Sequence, residues 1–100
     1  MNDGSDAVLR ELFDVIEDRK ERMPEDSYTA QLLVEDDEKG ENEALEKLGE
    51  EATEFLLAAK DGDTDELAHE GADIVYHMLV VLAQHDMDVD DLLDELDARR

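Results

Sequence analysis

Two pairs of acidic residues, each spaced three positions apart, stand among the most apolar helix-forming stretches of this sequence. Glu51 and Glu54 lie within LGEEATEFLLAAK, and Glu70 and Asp73 open EGADIVYHMLVVL. Residues three apart on a helix have Cβ atoms about 5 to 6 Å apart. If the two helices pack antiparallel across the intervening DGD turn, the two pairs can face each other.

Four ionised carboxylates so close together would repel each other strongly. Two of them about 5 Å apart repel by roughly 3 kcal/mol at an effective dielectric constant near 20, and a small domain cannot absorb that several times. A cation between them removes the cost, and all-oxygen ligation is preferred by Mg²⁺ or Mn²⁺. Because Mg²⁺ also contacts substrate phosphates, the sequence predicts a metal-dependent phosphoanhydride hydrolase. Its predicted metal ligands are Glu51, Glu54, Glu70 and Asp73.

The overall composition supplies a competing interpretation. The 100 residues include 32 Asp and Glu against 9 Lys and Arg, so an E-x-x-E is expected by chance and a solvated acidic face stays open. The second pair is harder to place in solvent, because it opens a helix that is apolar nearly all round. Glu50 points about 100° away from Glu51 around its helix and is the better candidate for a solvated acid.

Charge and composition also exclude several classes of function. A formal net charge of −23 makes binding to nucleic acid or to an anionic membrane unfavourable. The absence of Cys excludes disulfides and thiolate metal sites. The start MNDGSDAVLREL lacks the features of a signal peptide, so we expect a soluble cytoplasmic protein. So many acids with so few Lys resemble proteins of organisms that keep molar salt in the cytoplasm.

Helix-spaced apolar residues fill five segments of the sequence, and none shows the alternation of a β-strand. We therefore predict an all-α fold, an antiparallel bundle of about five helices in a single domain over residues 1–100. Pro24 ends the first helix, and the polar segment 35–42, which contains Gly40, is predicted to be a loop. The predicted helices cover residues 7–22, 28–34, 42–60, 65–86 and 89–98.

Short polar residues are available to cap these helices at their N-termini. Ser5 or Asp6 can cap the first helix and Ser27 the second. Thr64 or Asp63 can cap the fourth. The connections between the caps and the preceding helices are short, which favours antiparallel neighbours.

The remaining candidate sites are weaker. DGDTDE imitates the start of a calcium loop, but its sixth position is Glu66 instead of Gly, so we predict a helix-to-helix turn. His77 shares the stripe of Glu70 and Asp73, and it is either a satisfied core histidine or a contact to a ligand. His69 has no constellation of functional residues around it.

The acidic pattern resembles a known signature. Glu50-Glu51-x-x-Glu54 followed by Glu70-x-x-Asp73 resembles the E-E-x-x-E…E-x-x-D signature of the all-α nucleoside triphosphate pyrophosphatases, the MazG-like superfamily. Within it, SYTAQLL, KLGEEATE, EGADIVYHMLVVL and LLDELDARR look like the phosphoribosyl-ATP pyrophosphatase family. The resemblance implies Mg²⁺-dependent hydrolysis of phosphoribosyl-ATP to phosphoribosyl-AMP and pyrophosphate, the second step of histidine biosynthesis. It also implies homodimers with active sites near the interface, while pairing of dimers into tetramers stays open.

The resemblance implies roles for residues beside the metal ligands. Glu51 would be a catalytic residue because it binds the metal ion. Glu50 would be an accessory catalytic acid that orients ligands or water. Lys47 lies one turn before Glu51, where it would bind a substrate phosphate or form a surface ion pair. His77 is a further candidate for contact with the substrate.

Arg19, Ser27 and Tyr28 occupy positions that match the family's first helix and its S-Y-T segment. They are candidate substrate contacts, with a solvated Arg, a helix cap and a core aromatic as the alternatives. The chain departs from the family in having Glu43 where members often carry a basic residue, and Asp26 where they often carry Gly. These departures concern basic substrate contacts and leave the four predicted ligands untouched.

Two other functions stay open from the sequence. The first is a MazG-like house-cleaning pyrophosphatase acting on other nucleoside triphosphates. The second is a non-catalytic acidic helical module that dimerises or binds Ca²⁺. SYTAQLL and the short chain favour the histidine-pathway enzyme over the first. The second predicts that Glu51→Gln and Asp73→Asn raise stability at low salt, with no activity to lose.

Overall fold

A computed structural model describes residues 7–33 and 38–100 of the chain. Those residues form five α-helices and contain no β-strand, which confirms the predicted all-α class for the described part. The helices are α1 Ala7–Arg22, α2 Tyr28–Leu32, α3 Glu38–Asp61, α4 Thr64–Gln84 and α5 Val89–Ala98. Within these residues, no helix combines the length and apolar character needed to cross a membrane.

The ends of the helices follow from local polar groups. α1 ends at Arg22, and the next residue, Met23, takes a φ of 45° immediately before Pro24. The Ser27 hydroxyl accepts a hydrogen bond from the Ala30 N–H at 3.1 Å, which caps α2. These ends confirm the predicted stop at Pro24 and the predicted Ser27 cap. The predicted caps Ser5 and Asp6 lie outside the described residues.

Three helix boundaries differ from the prediction by two residues or more. α2 ends at Leu32 instead of residue 34, and Leu33 is its C-cap. α3 begins at Glu38, so the predicted loop is wrong over residues 38–42. Its sequence there is rich in Glu and Lys, which favour helix, and Gly40 costs only about 1 kcal/mol relative to Ala. α4 ends at Gln84 instead of residue 86, because Asp86 takes a φ of 58°, outside the helical region. The remaining predicted loop residues and Val34 lie outside the described part.

The turn between α3 and α4 positions the acidic pairs. Gly62 has a φ of 71°, a left-handed conformation that glycine adopts without steric cost. The N–H of Gly62 donates to the Ala59 carbonyl at 3.2 Å, and that of Asp63 donates to the Ala58 carbonyl at 3.1 Å. The Asp63 carboxylate then caps α4 by accepting from the Glu66 N–H at 3.1 Å. α3 thus ends and α4 begins within two residues, and these two helices make the largest helix–helix contact in the described chain.

The hydrophobic core surrounds the C-terminal half of α4. Leu79, Val80 and Ala83 of this half are fully buried. Every other helix contributes at least one side chain to the same cluster, whose remaining members include Phe13, Ile16, Leu32, Ala44 and Val89. The N-terminal half of α4 lies outside this cluster. This half of α4 packs against α3, and that contact positions Glu70 and Asp73.

Candidate functional site

Burial separates the four acids that the sequence predicts as metal ligands. Glu70 is 6% exposed and Glu51 is 9% exposed, whereas Asp73 is half-buried and Glu54 is exposed. The side chain of Glu50 is 66% exposed, as expected from its phase on α3. The predicted separation of an inward Glu51 from an outward Glu50 is confirmed.

Glu51 is held in place by a buried histidine. The Nδ1 atom of His77 lies 2.8 Å from Glu51 Oε1 and 3.1 Å from the backbone oxygen of Asp73. Since a carboxylate and a carbonyl only accept, Nδ1 carries the hydrogen and donates. In the neutral ring Nε2 is then an acceptor, and the Tyr28 hydroxyl lies 3.2 Å from it. A chain of hydrogen bonds therefore runs from α2 through α4 to the Glu51 carboxylate on α3.

The tyrosine at the outer end of this chain stays protonated. Burial raises the pKa of the Tyr28 hydroxyl, and the negative charges of Glu43, Glu51 and Asp73 raise it further. The hydroxyl is therefore a donor throughout the neutral pH range. The next tyrosine, Tyr76, bonds Thr29 Oγ1 and packs edge-on against His77, with ring centroids 4.9 Å apart.

The environment of Glu70 is different. Burial raises the pKa of its carboxyl from the ordinary value of 4.5 to about 7, and a hydrogen bond with the Glu66 carboxyl and the charges of Glu54 and Asp73 add to the effect. Its Oε1 atom is buried and has no hydrogen-bond partner among the described residues. A buried carboxylate oxygen without a partner is costly. Glu70 is thus a group that a proton or a cation would stabilise.

A cavity of about 380 Å³ opens beside Glu70, at the end of the α3–α4 pair nearest the Gly62 turn. Two apolar side chains, Leu57 and Ala58, form part of its wall. The rest of its described lining is acidic and consists of Glu54, Asp61, Asp63, Glu66 and Glu70. Negative potential concentrated in a concave site attracts cations, including a metal ion that is bound to a substrate.

The four predicted ligands do not form one tight group in the structure. Within the described residues, three side chains of metal-ligand type do come together, and they are Glu66, His69 and Glu70. One donor atom of each lies within 4.8 Å of the donor atoms of the other two. His69 Nε2 also lies 3.4 Å from Asp73 Oδ2. Neither Glu66 nor His69 is predicted as a ligand from the sequence. Glu66 lies three residues before His69 and four residues before Glu70. His69 lies four residues before Asp73, and this spacing could have indicated the cluster. The same spacing is common on any acidic helix.

Three predicted substrate contacts make local interactions. Lys47 Nζ lies 3.9 Å from Glu50 Oε1, a surface ion pair. Arg19 Nη1 donates to Asp18 Oδ2 at 2.8 Å, and Ser27 caps α2. Contacts between these side chains and a substrate stay predictions. His77, a further candidate, is 5% exposed and has both ring nitrogens engaged within the chain.

Comparisons with known proteins agree over nearly the whole chain. A family model described as phosphoribosyl-ATP pyrophosphohydrolase matches residues 9–100. The phosphoribosyl-ATP pyrophosphatase of Halobacterium salinarum (strain ATCC 29341 / DSM 671 / R1) is 86% identical over 92 residues, which cover 92% of this chain and 96% of the relative. The enzyme of that name from Haloarcula marismortui is 64% identical over 100 residues, 100% of both chains. One from Pelotomaculum thermopropionicum is 48% identical over 97 residues, 97% of this chain and 95% of the relative.

Proposed function

This chain belongs to the phosphoribosyl-ATP pyrophosphohydrolase family, and we propose that the acids of α3 and α4 form the site at which it hydrolyses phosphoribosyl-ATP to phosphoribosyl-AMP and pyrophosphate. This reaction belongs to histidine biosynthesis. The observation that carries the proposal is the burial of Glu51 and Glu70 on two packed helices, together with the cavity with acidic walls that Glu70 lines. Structural carboxylates are rarely buried unless they are paired, and Glu70 Oε1 is not.

A divalent cation, Mg²⁺ or Mn²⁺, is part of the proposal. Glu51, Glu54, Glu70 and Asp73 would hold it, since they offer only carboxylate oxygens and one of them has a buried oxygen without a partner. Such a cation, when bound, neutralises triphosphate charge and polarises the attacked phosphorus and the attacking water. Exposed Glu54 and half-buried Asp73 are free to adjust to it, whereas Glu51 is already fixed.

His77 is proposed to position Glu51 instead of contacting the substrate. Its Nδ1–H fixes the direction of one carboxylate oxygen, and Tyr28 fixes the ring from the other side. Histidine and carboxylate pairs of this kind orient metal ligands in many sites. These contacts support the satisfied core histidine of the two interpretations, and its proposed part in the reaction is indirect, through Glu51.

Lys47 is proposed to bind a phosphate of the substrate. Its side chain is 42% exposed, and its contact with Glu50 is long at 3.9 Å. An exposed ion pair of this kind is worth about 0 to 1 kcal/mol, so the ammonium group can leave it at little cost. Glu50, released from the pair, is proposed as the accessory acid that orients water. Arg19, Ser27 and Tyr28 remain proposed contacts at the α1–α2 side.

We also propose that two copies of the chain associate through α3. Leu56 is 64% exposed and Leu57 is 59% exposed, next to each other near the acidic cavity that Leu57 lines. Adjacent apolar side chains at this exposure suit a covered surface better than a solvated one. A second copy packed there would bring the proposed active site close to the interface. Sedimentation equilibrium of the wild type and of Leu56→Glu at molar KCl tests this, and a monomeric wild type would refute it.

Pyrophosphate release tests the proposed function. Phosphoribosyl-ATP is compared with ATP and other nucleoside triphosphates, in Mg²⁺ or EDTA, at molar KCl. We expect release from phosphoribosyl-ATP with Mg²⁺ and loss of that release in EDTA. Equal turnover of ATP would favour the MazG-like house-cleaning enzyme. No release from any substrate would leave the non-catalytic acidic module.

A further inference from the structure

A second cluster of metal-ligand side chains lies on α4 beside the proposed site. Glu66, His69 and Glu70 each place one donor atom within 4.8 Å of the other two. Donor atoms around a cation with bonds of about 2.1 Å lie roughly 3 to 4 Å apart. Glu66 and His69 are exposed, so small rotations of their side chains would bring all three donors onto one ion.

An independent observation points to a cation at this place. Glu70 is 6% exposed, and its Oε1 atom has no hydrogen-bond partner within the described chain. The described residues that line the adjoining cavity include no Lys or Arg, although five of them are acidic. Among the described residues, a carboxylate oxygen is therefore buried at an acidic wall with no Lys or Arg in that wall. A bound cation would supply the missing charge.

His69 distinguishes this cluster from the four acids of the proposed Mg²⁺ site. Imidazole suits transition metals, whereas Mg²⁺ prefers oxygen donors alone. A Glu-x-x-His spacing, here Glu66 and His69, supplies ligands in helical di-iron and di-manganese carboxylate proteins, together with a Glu from a facing helix. Glu54 of α3 lines the same cavity and is placed to act as that residue.

We propose that Glu66, His69 and Glu70 form a second cation position that takes a divalent transition metal such as Mn²⁺. It shares Glu70 with the Mg²⁺ position, and in that respect the inference rests on the proposed function. Asp73 connects the two positions, because its Oδ2 atom lies 3.4 Å from His69 Nε2. The enzyme would then hold two cations at one end of the α3–α4 pair, with different preferences.

Electron paramagnetic resonance of free Mn²⁺ tests the proposal on the metal-stripped, full-length chain at molar KCl, where weak surface binding is screened. We expect two equivalents of Mn²⁺ per chain, of which excess Mg²⁺ displaces one. His69→Ala and Glu66→Gln should each weaken the Mg²⁺-resistant equivalent by at least about tenfold. Asp65→Asn, at an exposed position of the same helix, and His85→Ala, at the residue that follows this helix, are the controls and should retain both equivalents.

The outcomes separate this proposal from the proposed function. A single Mn²⁺ equivalent in the wild type, or a Mg²⁺-resistant equivalent that survives in both variants, overturns the second position. Circular dichroism verifies that the variants, both at exposed side chains, are folded. Pyrophosphate release with Mg²⁺ is measured on the same preparations. Activity with one equivalent refutes only the second position, and two equivalents without activity refute only the proposed function.

Discussion

Two buried glutamates on neighbouring helices have opposite surroundings. Glu51 on α3 receives a hydrogen bond from His77 at 2.8 Å, and that histidine is in turn bonded to Tyr28. Glu70 on α4 has a buried oxygen without a partner and a carboxyl pKa raised to about 7, first by burial and then by the Glu66 carboxyl. One carboxylate is therefore oriented in advance. The other is left for a proton or a cation to stabilise.

This difference shows how a small domain can prepare a charged site without filling it. A site in which every carboxylate was satisfied would gain little from a cation, and one in which none was satisfied would destabilise the fold. Glu51 on α3 is fixed, whereas Glu70 on α4 keeps one oxygen without a partner, so each helix meets one of the two requirements. Under the proposed function, stability would come from the His77 side and cation affinity from the Glu70 side.

The largest expected effect comes from removing the charge of the oriented carboxylate. Glu51→Gln keeps an oxygen that can accept from His77, so the fold should persist while the negative charge is lost. We expect pyrophosphate release to fall by at least about 100-fold, because even outer partners of metal ligands account for about 10- to 100-fold. Asp73→Asn should behave similarly. Glu46→Gln, at an exposed position of α3, is the control, and equal losses in the control would contradict the assignment.

The second effect tests whether His77 acts by orienting Glu51. His77→Leu leaves the buried carboxylate without its donor, which should reduce the free energy of unfolding by about 1 to 3 kcal/mol. It should also weaken Mg²⁺ binding and lower kcat by about 10- to 100-fold. His77→Asn places an amide N–H near the position of Nδ1–H and should recover part of kcat. A purely structural histidine would instead show lower stability with an unchanged kcat in the folded enzyme.

The third effect concerns the carboxyl group of Glu70 and depends on pH. The pKa of Glu70 is raised from 4.5 to about 7, so the folded state binds more protons than the unfolded state between these values. In EDTA, the contribution of Glu70 to stability should therefore fall as pH rises from about 4.5 to about 7, and change little above. Thermal unfolding should show a smaller decline in Glu70→Gln and in wild type with Mg²⁺. An identical decline in Glu70→Gln would show that other groups cause it.

The smallest effect comes from the outer end of the hydrogen-bond chain. Tyr28→Phe removes a bond of 3.2 Å to His77 Nε2 but leaves the Nδ1 bond to Glu51 in place. We expect a loss of about 0.5 to 1.5 kcal/mol in the free energy of unfolding and only a few-fold lower kcat. Denaturant unfolding and initial rates measure the two. A loss as large as that of His77→Leu would mean that Tyr28 also contacts the substrate.

The helix boundaries were predictable where residues next to them in the sequence determine the start or the end of the helix. Helical spacing and Ser27 defined the start of α2, and Pro24 defined the end of α1. The start of α3 was not predictable, since Glu38 and Gly40 lie in a polar stretch without apolar spacing, which suits a loop and an exposed helix equally. Helix propensity alone separates the two by small free energies.

The site was predictable in its residue types but not in its pairings. The phase of Glu51 on its helix indicated an inward side chain, and the structure confirms it. Its bond to His77 joins residues 26 positions apart and depends on the register between α3 and α4. The cluster of Glu66 and His69 was missed because Asp and Glu make up 32 of the 100 residues, so one more acid beside a histidine gave no distinct signal.

The left-handed turn at Gly62 fixes how the acids of α4 are oriented relative to α3. α3 ends at Asp61 and α4 begins at Thr64, so a two-residue connection sets the angular position of every acid on α4 relative to α3. One residue inserted at the start of α4 would rotate the rest of that helix by about 100° and carry Glu70 and Asp73 away from α3. Changes in chain length at this connection should be tolerated far less than changes of residue type.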